Sequence, residues 1–117
     1  MNNLEHEKHL AAVRSLDYVS EGMLVGLGSG STAAHFIRAL GASGMQVECV
    51  ATSEASAELG RASGLRVVDF EGQPVDVTVD GADEIGPQLA LIKGGGGALV
   101  WEKIVAFASQ AFVIIAD

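Results

Sequence analysis

The sequence predicts an α/β fold, specifically a Rossmann-like, doubly wound, mostly parallel sheet with helices on both faces. Short apolar runs of strand length alternate along the chain with segments whose apolar residues recur at helical spacing. Turns rich in Gly or Asp follow three predicted strands, at residues 28–32, 80–84 and 93–97. Ligands of open parallel sheets bind at the carboxyl ends of the strands. The 117 residues are therefore expected to form a single domain, 1–117, with its site at that edge.

Helices are predicted where apolar residues recur every three or four positions. In the first, residues 4 to about 20, apolar side chains from Leu10 to Val19 alternate with charged ones, and Gly22 ends the segment. The further predicted helices cover about 32–40, closed by Gly41, about 53–63, with Ser53 as the N-cap, and about 98–109.

Strands are predicted where a short apolar run lies between turn signals. The clearest case is the alternation of Val75, Val77 and Val79 with the polar residues Asp76 and Thr78. The predicted strands cover about 23–27, 47–51, 65–70, 75–79, 89–93 (a strand or an extended stretch) and 112–116. Because strands and helices alternate, right-handed crossovers between parallel strands follow.

Composition and charge exclude several classes of protein. With 49% hydrophobic and 19% charged residues, the chain is globular. A net charge of -8 without a basic cluster argues against a nucleic-acid partner. No apolar run is long enough for a membrane span, and the N-terminus lacks the apolar core of a signal peptide, so we expect a cytoplasmic protein. Cys49, the single cysteine, is expected to be a small buried hydrophobe.

The turn at residues 28–32, Gly-Ser-Gly-Ser-Thr, follows a predicted strand and opens a helix. Its glycines allow backbone N–H groups to approach an anion, and the hydroxyls and the helix N-terminus add further attraction. The turn therefore suits a phosphate. The alternative is a purely structural turn, in which Gly30 shapes the backbone and Ser31 or Thr32 caps the helix.

A dinucleotide site is a further alternative for this turn. Gly26 and Gly28 match the first two glycines of the G-x-G-x-x-G pattern, but Ser31 occupies the third position. Only Glu54, a poor candidate, follows the second strand as a ribose-binding acid. No Gly-Lys-Ser/Thr sequence is present, which excludes a P-loop.

Two other turns carry charged groups. Asp80 and Asp83, three residues apart after a strand of valines, could bind a metal, act as acid and base, or hold sugar hydroxyls, unless they form an exposed acidic turn. Lys93 precedes four consecutive glycines and could present a cation to an oxyanion. Glu102 lies outside the apolar stripe of its predicted helix and, taken alone, resembles a solvated glutamate.

Taken together, these motifs resemble a known family. The segments 26–33 (GLGSGSTA), 79–85 (VDGADEI) and 92–98 (IKGGGGA), followed by Glu-Lys-Ile at 102–104, are similar to the signatures of type A ribose-5-phosphate isomerases in order and spacing. The resemblance spans nearly the whole chain, and it implies that the chain lacks the family's C-terminal part.

The resemblance also implies a role for each motif. Glu102 would be the base that moves a proton between C1 and C2 of the open-chain sugar through an enediolate. Asp80 would assist ring opening and, with Asp83, hold sugar hydroxyls, while Lys93 would stabilise negative charge on oxygen. The implied substrate-binding residues are Ser29, Gly30, Ser31 and Thr32 around the phosphate, and Asp80, Gly81, Ala82, Asp83, Lys93, Gly94, Gly95 and Gly96.

The implied protein is an isomerase of ribose 5-phosphate and ribulose 5-phosphate, in the non-oxidative branch of the pentose phosphate pathway. It needs no cofactor or metal, binds a small sugar phosphate, and forms a homo-oligomer, most simply a dimer. A non-catalytic sugar-phosphate sensor on the same scaffold and a nucleotide-binding oxidoreductase domain remain as alternatives.

Overall fold

A computed structural model of the chain describes residues 3–81 and 109–115. Three α-helices and five strands lie in this part. They are α1 (Asn3–Ser15), followed by a 3-10 helix (Leu16–Tyr18), β1 (Leu24–Leu27), α2 (Gly30–Ser43), β2 (Glu48–Ala51), α3 (Glu54–Ala62), β3 (Arg66–Val67), β4 (Val75–Gly81) and β5 (Ser109–Ile115).

The strands form one parallel sheet in the order β3-β2-β1-β4-β5. Leu27 at the end of β1 is in register with Ala51 of β2 and with Val79 of β4. The carboxyl ends of the three central strands therefore meet at one edge. The chain proceeds outward from β1 through β2 to β3 and then returns to β4 on the other side of β1. A sheet of this kind has its ligand crevice where the direction reverses, here between β1 and β4.

The core lies between the sheet and the helices. One cluster joins residues of all three described helices to alternate residues of the strands, and its members include Ala12, Phe36, Ile37, Leu40, Leu59, Val25, Leu27, Cys49, Val77 and Val79. Leu24 and Val50 belong to a second cluster, because neighbouring residues of a strand point to opposite faces of a sheet. The predicted parallel α/β fold is confirmed; the helix predicted at 98–109 lies outside the described residues except for Ser109.

The buried face of α1 differs from the one that its apolar residues suggest. Leu10 and Val13 are 40% and 41% exposed, whereas Lys8, Ala12 and Ser15 are buried. The spacing of these three residues is helical, so they form one face. Small side chains allow α1 to pack closely on α2, and this packing places Lys8 near the start of α2.

The predicted end of α2 at Gly41 is wrong. The helix continues to Ser43, and Gly44 ends it with a left-handed φ of 78°. Gly41 lies inside the helix where a Cβ would come within 2.7 Å of the Ser63 Cβ. A glycine is needed there for close packing rather than as a helix end.

Three strand boundaries differ from the predictions by two residues or more. β4 continues beyond the predicted 75–79 to Gly81, so Asp80 and Gly81 lie in the strand and not in a turn after it, because both pair with β5. β3 covers only Arg66–Val67 of the predicted 65–70, because only these two residues pair in register with β2. One further hydrogen bond follows, from the Val68 N–H to the Cys49 carbonyl (2.8 Å). β5 begins at Ser109, the residue at which the sequence pattern ends a helix, since Ser109 pairs with Val75 at the start of β4. The strand predicted at 89–93 lies outside the described residues.

Cys49 is completely buried in β2. Burial raises the pKa of its thiol to about 12, with a further contribution from the charge of Glu48. The expectation of a small buried hydrophobe is confirmed. Within the described ranges, no helix is both long and apolar enough to cross a membrane.

Candidate functional site

The turn after β1 lies directly against the end of β4. The Gly28 N–H donates a hydrogen bond to the Val79 carbonyl (2.9 Å). A Cβ at Gly28 would lie 2.6 Å from that carbonyl oxygen and would overlap the Asp80 carboxyl group. Only glycine permits this approach, which brings the predicted phosphate turn beside the predicted carboxylate turn.

Asp80, near the end of β4, joins this strand to the turn after β1 through its carboxylate. The residue is fully buried, and its Oδ1 accepts hydrogen bonds from the Ser29 N–H (3.1 Å) and the Gly81 N–H (2.8 Å). The next residue, Gly81, faces α2, since a Cβ there would lie 3.0 Å from the Cβ of Thr32. The Asp80 carboxylate therefore lies between the end of β4 and the start of α2, where the topology of the sheet predicts a ligand.

The N-terminus of α2 is arranged to attract an anion. The first N–H groups of an α-helix have no partner within the helix and carry partial positive charge. Ser29 occupies the N-cap position but makes no side-chain cap hydrogen bond within the described structure. The first helical residue, Gly30, has a φ of 87°, a backbone conformation that favours glycine.

Lys8 adds a cation to this site and was not identified from the sequence. Its Nζ donates a hydrogen bond to the Ser31 Oγ (3.0 Å), and the residue is only 8% exposed. A buried lysine beside a helix N-terminus creates a positive region that suits a phosphate. The available signal was its helical spacing with the small residues Ala12 and Ser15, which marks Lys8 as part of the packed face of α1.

Glu5 and His35 lie next to this lysine. The Glu5 Oε1 is 3.8 Å from the Lys8 Nζ, and the Glu5 Oε2 is 2.6 Å from the His35 Nε2. The hydrogen bond with His35, together with the charges of Lys8, His35 and Arg38, lowers the pKa of Glu5 against a smaller opposing effect of burial. The glutamate therefore ties α1 to α2 at the level of Lys8.

Packing explains the first glycine of the Gly26-Gly28 pair. A Cβ at Gly26 would lie 2.9 Å from the Thr78 Cβ on the neighbouring strand β4. Both glycines are thus required where β1 approaches β4 closely, and this part of the G-x-G pattern needs no dinucleotide. Within residues 3–81 and 109–115, no three His, Cys, Asp or Glu side chains come together as a metal site requires.

The structure therefore brings the predicted residues of the first turn, 28–32, beside Asp80 and Gly81 of the second. The remaining predicted site residues lie outside the described residues. They are Ala82, Asp83, Lys93, Gly94, Gly95, Gly96 and Glu102.

Known proteins similar to this chain carry one consistent description. A family model for ribose 5-phosphate isomerase A (phosphoriboisomerase A) matches residues 48–117. The ribose-5-phosphate isomerase A of Bartonella bacilliformis is 53% identical over 98% of this chain and 51% of its own length. That of Parvibaculum lavamentivorans is 50% identical over 98% of this chain and 52% of its own length.

Solved structures agree with the sequence relatives. The crystal structure of ribose 5-phosphate isomerase A from Neisseria gonorrhoeae has a TM-score of 0.83 and 42% identity, over 100% of this chain and 53% of that one. A D-ribose-5-phosphate isomerase in complex with phospho-erythronic acid has a TM-score of 0.80 and 34% identity, over 100% of this chain and 56% of that one.

The chain spans about half the length of the curated relatives that it matches. The alignments with these relatives cover 98% of the chain, and the match to the family model, residues 48–117, includes Asp80. The predicted family resemblance is confirmed, and the chain belongs to the ribose 5-phosphate isomerase A family.

Proposed function

We propose that the protein interconverts ribose 5-phosphate and ribulose 5-phosphate through an enediolate. The observation that carries the proposal is the buried Asp80 carboxylate, which accepts a hydrogen bond from the Ser29 N–H at the crevice between β1 and β4. One short crevice thereby offers a phosphate-compatible turn and a carboxylate that can hold sugar hydroxyls. The family relatives support this activity.

The phosphate end of the substrate would lie at the start of α2. Lys8 supplies a cation, Ser31 and Thr32 supply hydroxyls, and the first N–H groups of the helix supply partial positive charge. The solved relative that holds phospho-erythronic acid, a phosphorylated sugar acid, supports a ligand of this class.

The reacting end would lie near Asp80. In this proposal Asp80 assists ring opening and, with Asp83, orients the sugar hydroxyls. Glu102 removes a proton from C2 of the open aldose and returns it to C1, while Lys93 stabilises the negative oxygen of the enediolate. Proton transfer by a placed carboxylate contributes about 10²–10⁴-fold to a rate, and a cation at the developing oxyanion supplies a large further part. The shuttle uses protein side chains alone, without a cofactor.

We further propose a homodimer in the cytoplasm, acting in the non-oxidative pentose phosphate pathway. The described part exposes four large apolar side chains, and contact with a partner chain would remove such side chains from water. They are Leu10, Val13, Tyr18 and Ile114. The size of the protein by light scattering tests the assembly.

The direct test is an isomerase assay on the protein at its full natural length. We expect wild-type protein to convert ribose 5-phosphate, and Glu102→Gln to lower kcat by about 10²–10⁴-fold while substrate still binds. Unchanged turnover in Glu102→Gln would remove Glu102 from the mechanism. Calorimetric binding of ribose 5-phosphate by wild-type protein without any turnover would contradict the enzyme and support a sensor.

A further inference from the structure

Four hydroxyl side chains form a connected group behind the phosphate turn. This hydroxyl cluster consists of Ser29, Thr52, Ser53 and Ser56. The Ser29 Oγ lies 3.0 Å from the Thr52 Oγ1 and 3.1 Å from the Ser53 Oγ, and the Ser53 Oγ lies 3.0 Å from the Ser56 Oγ. The cluster thus connects the turn after β1 to the turn after β2.

Two members of the cluster hold the backbone of the phosphate turn. The Ser56 Oγ donates a hydrogen bond to the Gly28 carbonyl (2.6 Å), and the Thr52 Oγ1 donates one to the Leu27 carbonyl (2.7 Å). Ser56 is 4% exposed and Thr52 is fully buried. These bonds fix two consecutive peptide units at the point where β1 ends and the turn begins.

The single proton of each hydroxyl orients the whole cluster. Because Ser56 donates to Gly28 and Thr52 donates to Leu27, both must accept from the other cluster hydroxyls. Ser53 therefore donates to Ser56, and the single Ser29 proton is shared between the Thr52 Oγ1 and the Ser53 Oγ in a three-centre hydrogen bond. The Ser29 hydroxyl is consequently directed at the neighbouring turn rather than at the N–H groups of α2.

We propose that Ser56 and Thr52 are positioning residues for phosphate binding. Through the hydroxyl cluster they hold the Leu27 and Gly28 carbonyls and draw the Ser29 side chain away from the capping position of α2. The first N–H groups of α2 then remain available to the phosphate of the substrate. This inference rests on the proposed function, and it concerns residues that do not touch the reacting atoms.

The test measures phosphate affinity in four variants of the protein at its full natural length. Ser56→Ala and Thr52→Val each remove one hydroxyl, and Thr52→Ser retains it. Ser15→Ala is the matched control, because the Ser15 Oγ also donates to a carbonyl, that of Ala12, at 2.6 Å, and Ser15 is also 4% exposed. Thermal unfolding of every variant shows whether it folds.

We expect Ser56→Ala and Thr52→Val to raise the KM for ribose 5-phosphate and the inhibition constant of inorganic phosphate by about three- to tenfold, the size expected for one hydrogen bond. Thr52→Ser and Ser15→Ala should leave both constants within about twofold, and kcat should stay within about twofold throughout. If Ser56→Ala does not fold, the comparison of Thr52→Val with Thr52→Ser decides the question.

Two results would overturn the proposal. One is unchanged KM and phosphate inhibition in both hydroxyl-deleted variants alongside a lowered Tm, which would leave the cluster a structural role only. The other is a fall in kcat at constant KM. The stabilisation of each variant by inorganic phosphate, measured as a Tm shift, tests phosphate positioning even if the wild-type protein has no isomerase activity, so failure of the proposed function is seen separately.

Discussion

The turns after β1 and after β2 are neighbours with the same general plan and opposite properties. Each follows a buried strand, contains a serine at the N-cap and opens a helix. Ser53 caps α3 in the usual way, since its Oγ accepts a hydrogen bond from the Ser56 N–H (3.2 Å). Ser29 makes no such bond to α2 within the described structure. In the described structure the Ser29 hydroxyl therefore caps none of the first N–H groups of α2, whereas the Ser53 hydroxyl caps one of α3.

Charge reinforces this difference. The first turn of α3 contains Glu54, which already satisfies the positive end of that helix. The first turn of α2 contains no acidic residue, and Lys8 lies beside it. We therefore expect a phosphate to favour the N-terminus of α2 over that of α3. A serine at an N-cap position therefore neither identifies nor excludes a ligand site. What matters is whether its hydroxyl bonds to an N–H group of the helix, as in Ser53, or to other side chains, as in Ser29.

The largest effect is expected from Gly28→Ala. The added Cβ would overlap the Asp80 carboxyl group and approach the Val79 carbonyl oxygen, so the turn after β1 could not meet the end of β4. We expect the free energy of unfolding to fall by about 3 kcal/mol or more, with loss of isomerase activity, as measured by urea unfolding and by the assay.

The control for that substitution is Gly44→Ala. Gly44 has a φ of 78°, but a Cβ added there would meet no atom within 4 Å. The substitution should cost about 1–2 kcal/mol through the left-handed backbone alone, with activity retained. Equal losses of stability in the two variants would show that the close contact of β1 with β4 is unimportant.

An intermediate effect is expected from Lys8→Gln. The substitution removes the cation beside α2 and leaves the helix N-terminus in place. Since hydrogen bonds to charged groups contribute about 1.5–3 kcal/mol, we expect the KM and the phosphate inhibition constant to rise by about 10- to 100-fold. Steady-state kinetics at constant ionic strength measure both.

Arg66→Gln serves as the control for Lys8→Gln. Arg66 is an exposed cation on β3, and its guanidinium lies 3.4 Å from Glu48. Arg66→Gln changes the net charge by the same amount as Lys8→Gln. It should leave the KM within about twofold, because exposed ion pairs contribute little free energy. A similar rise in KM for both variants would mean that overall charge, rather than the local cation at α2, governs phosphate affinity.

The smallest effect concerns the pH dependence of the Glu5–His35 pair, which joins α1 to α2. His35, the largest cause, lowers the pKa of Glu5 in the folded protein. The resulting stabilisation is present above the ordinary glutamate pKa and is lost as pH falls through the lowered value. We expect wild-type protein to exceed Glu5→Gln in urea midpoint at neutral pH, and the difference to shrink as pH falls below the ordinary glutamate pKa.

Glu7→Gln provides the comparison for that experiment, because it removes an exposed carboxylate from α1 and leaves the Glu5–His35 pair in place. Its midpoint should follow that of wild-type protein at neutral pH. A stability difference for Glu5→Gln that stays constant from neutral to acid pH would contradict the role assigned to the pair.

Much of the fold was predictable because local patterns and tertiary packing agree. The valines of β4 alternate in sequence and are buried in the structure, and Ser53 caps α3 as its position suggests. The prediction for Gly41 was wrong, because a glycine that permits contact with Ser63 has the same sequence signal as one that ends a helix. The apolar residues of α1 identified the helix but not its buried face.

The candidate site, like the fold, was only partly predictable from the sequence. The sequence by itself determined that a glycine- and hydroxyl-rich turn follows one strand of a parallel sheet and that an aspartate lies near the end of another, because strand and turn preferences are local properties of the residues. Only the tertiary structure decided that Asp80 binds the Ser29 N–H, that Lys8 reaches Ser31, and that Ser56 holds the Gly28 carbonyl. These contacts join residues 23 to 51 positions apart, and such pairs meet only when strand order and helix packing place them together.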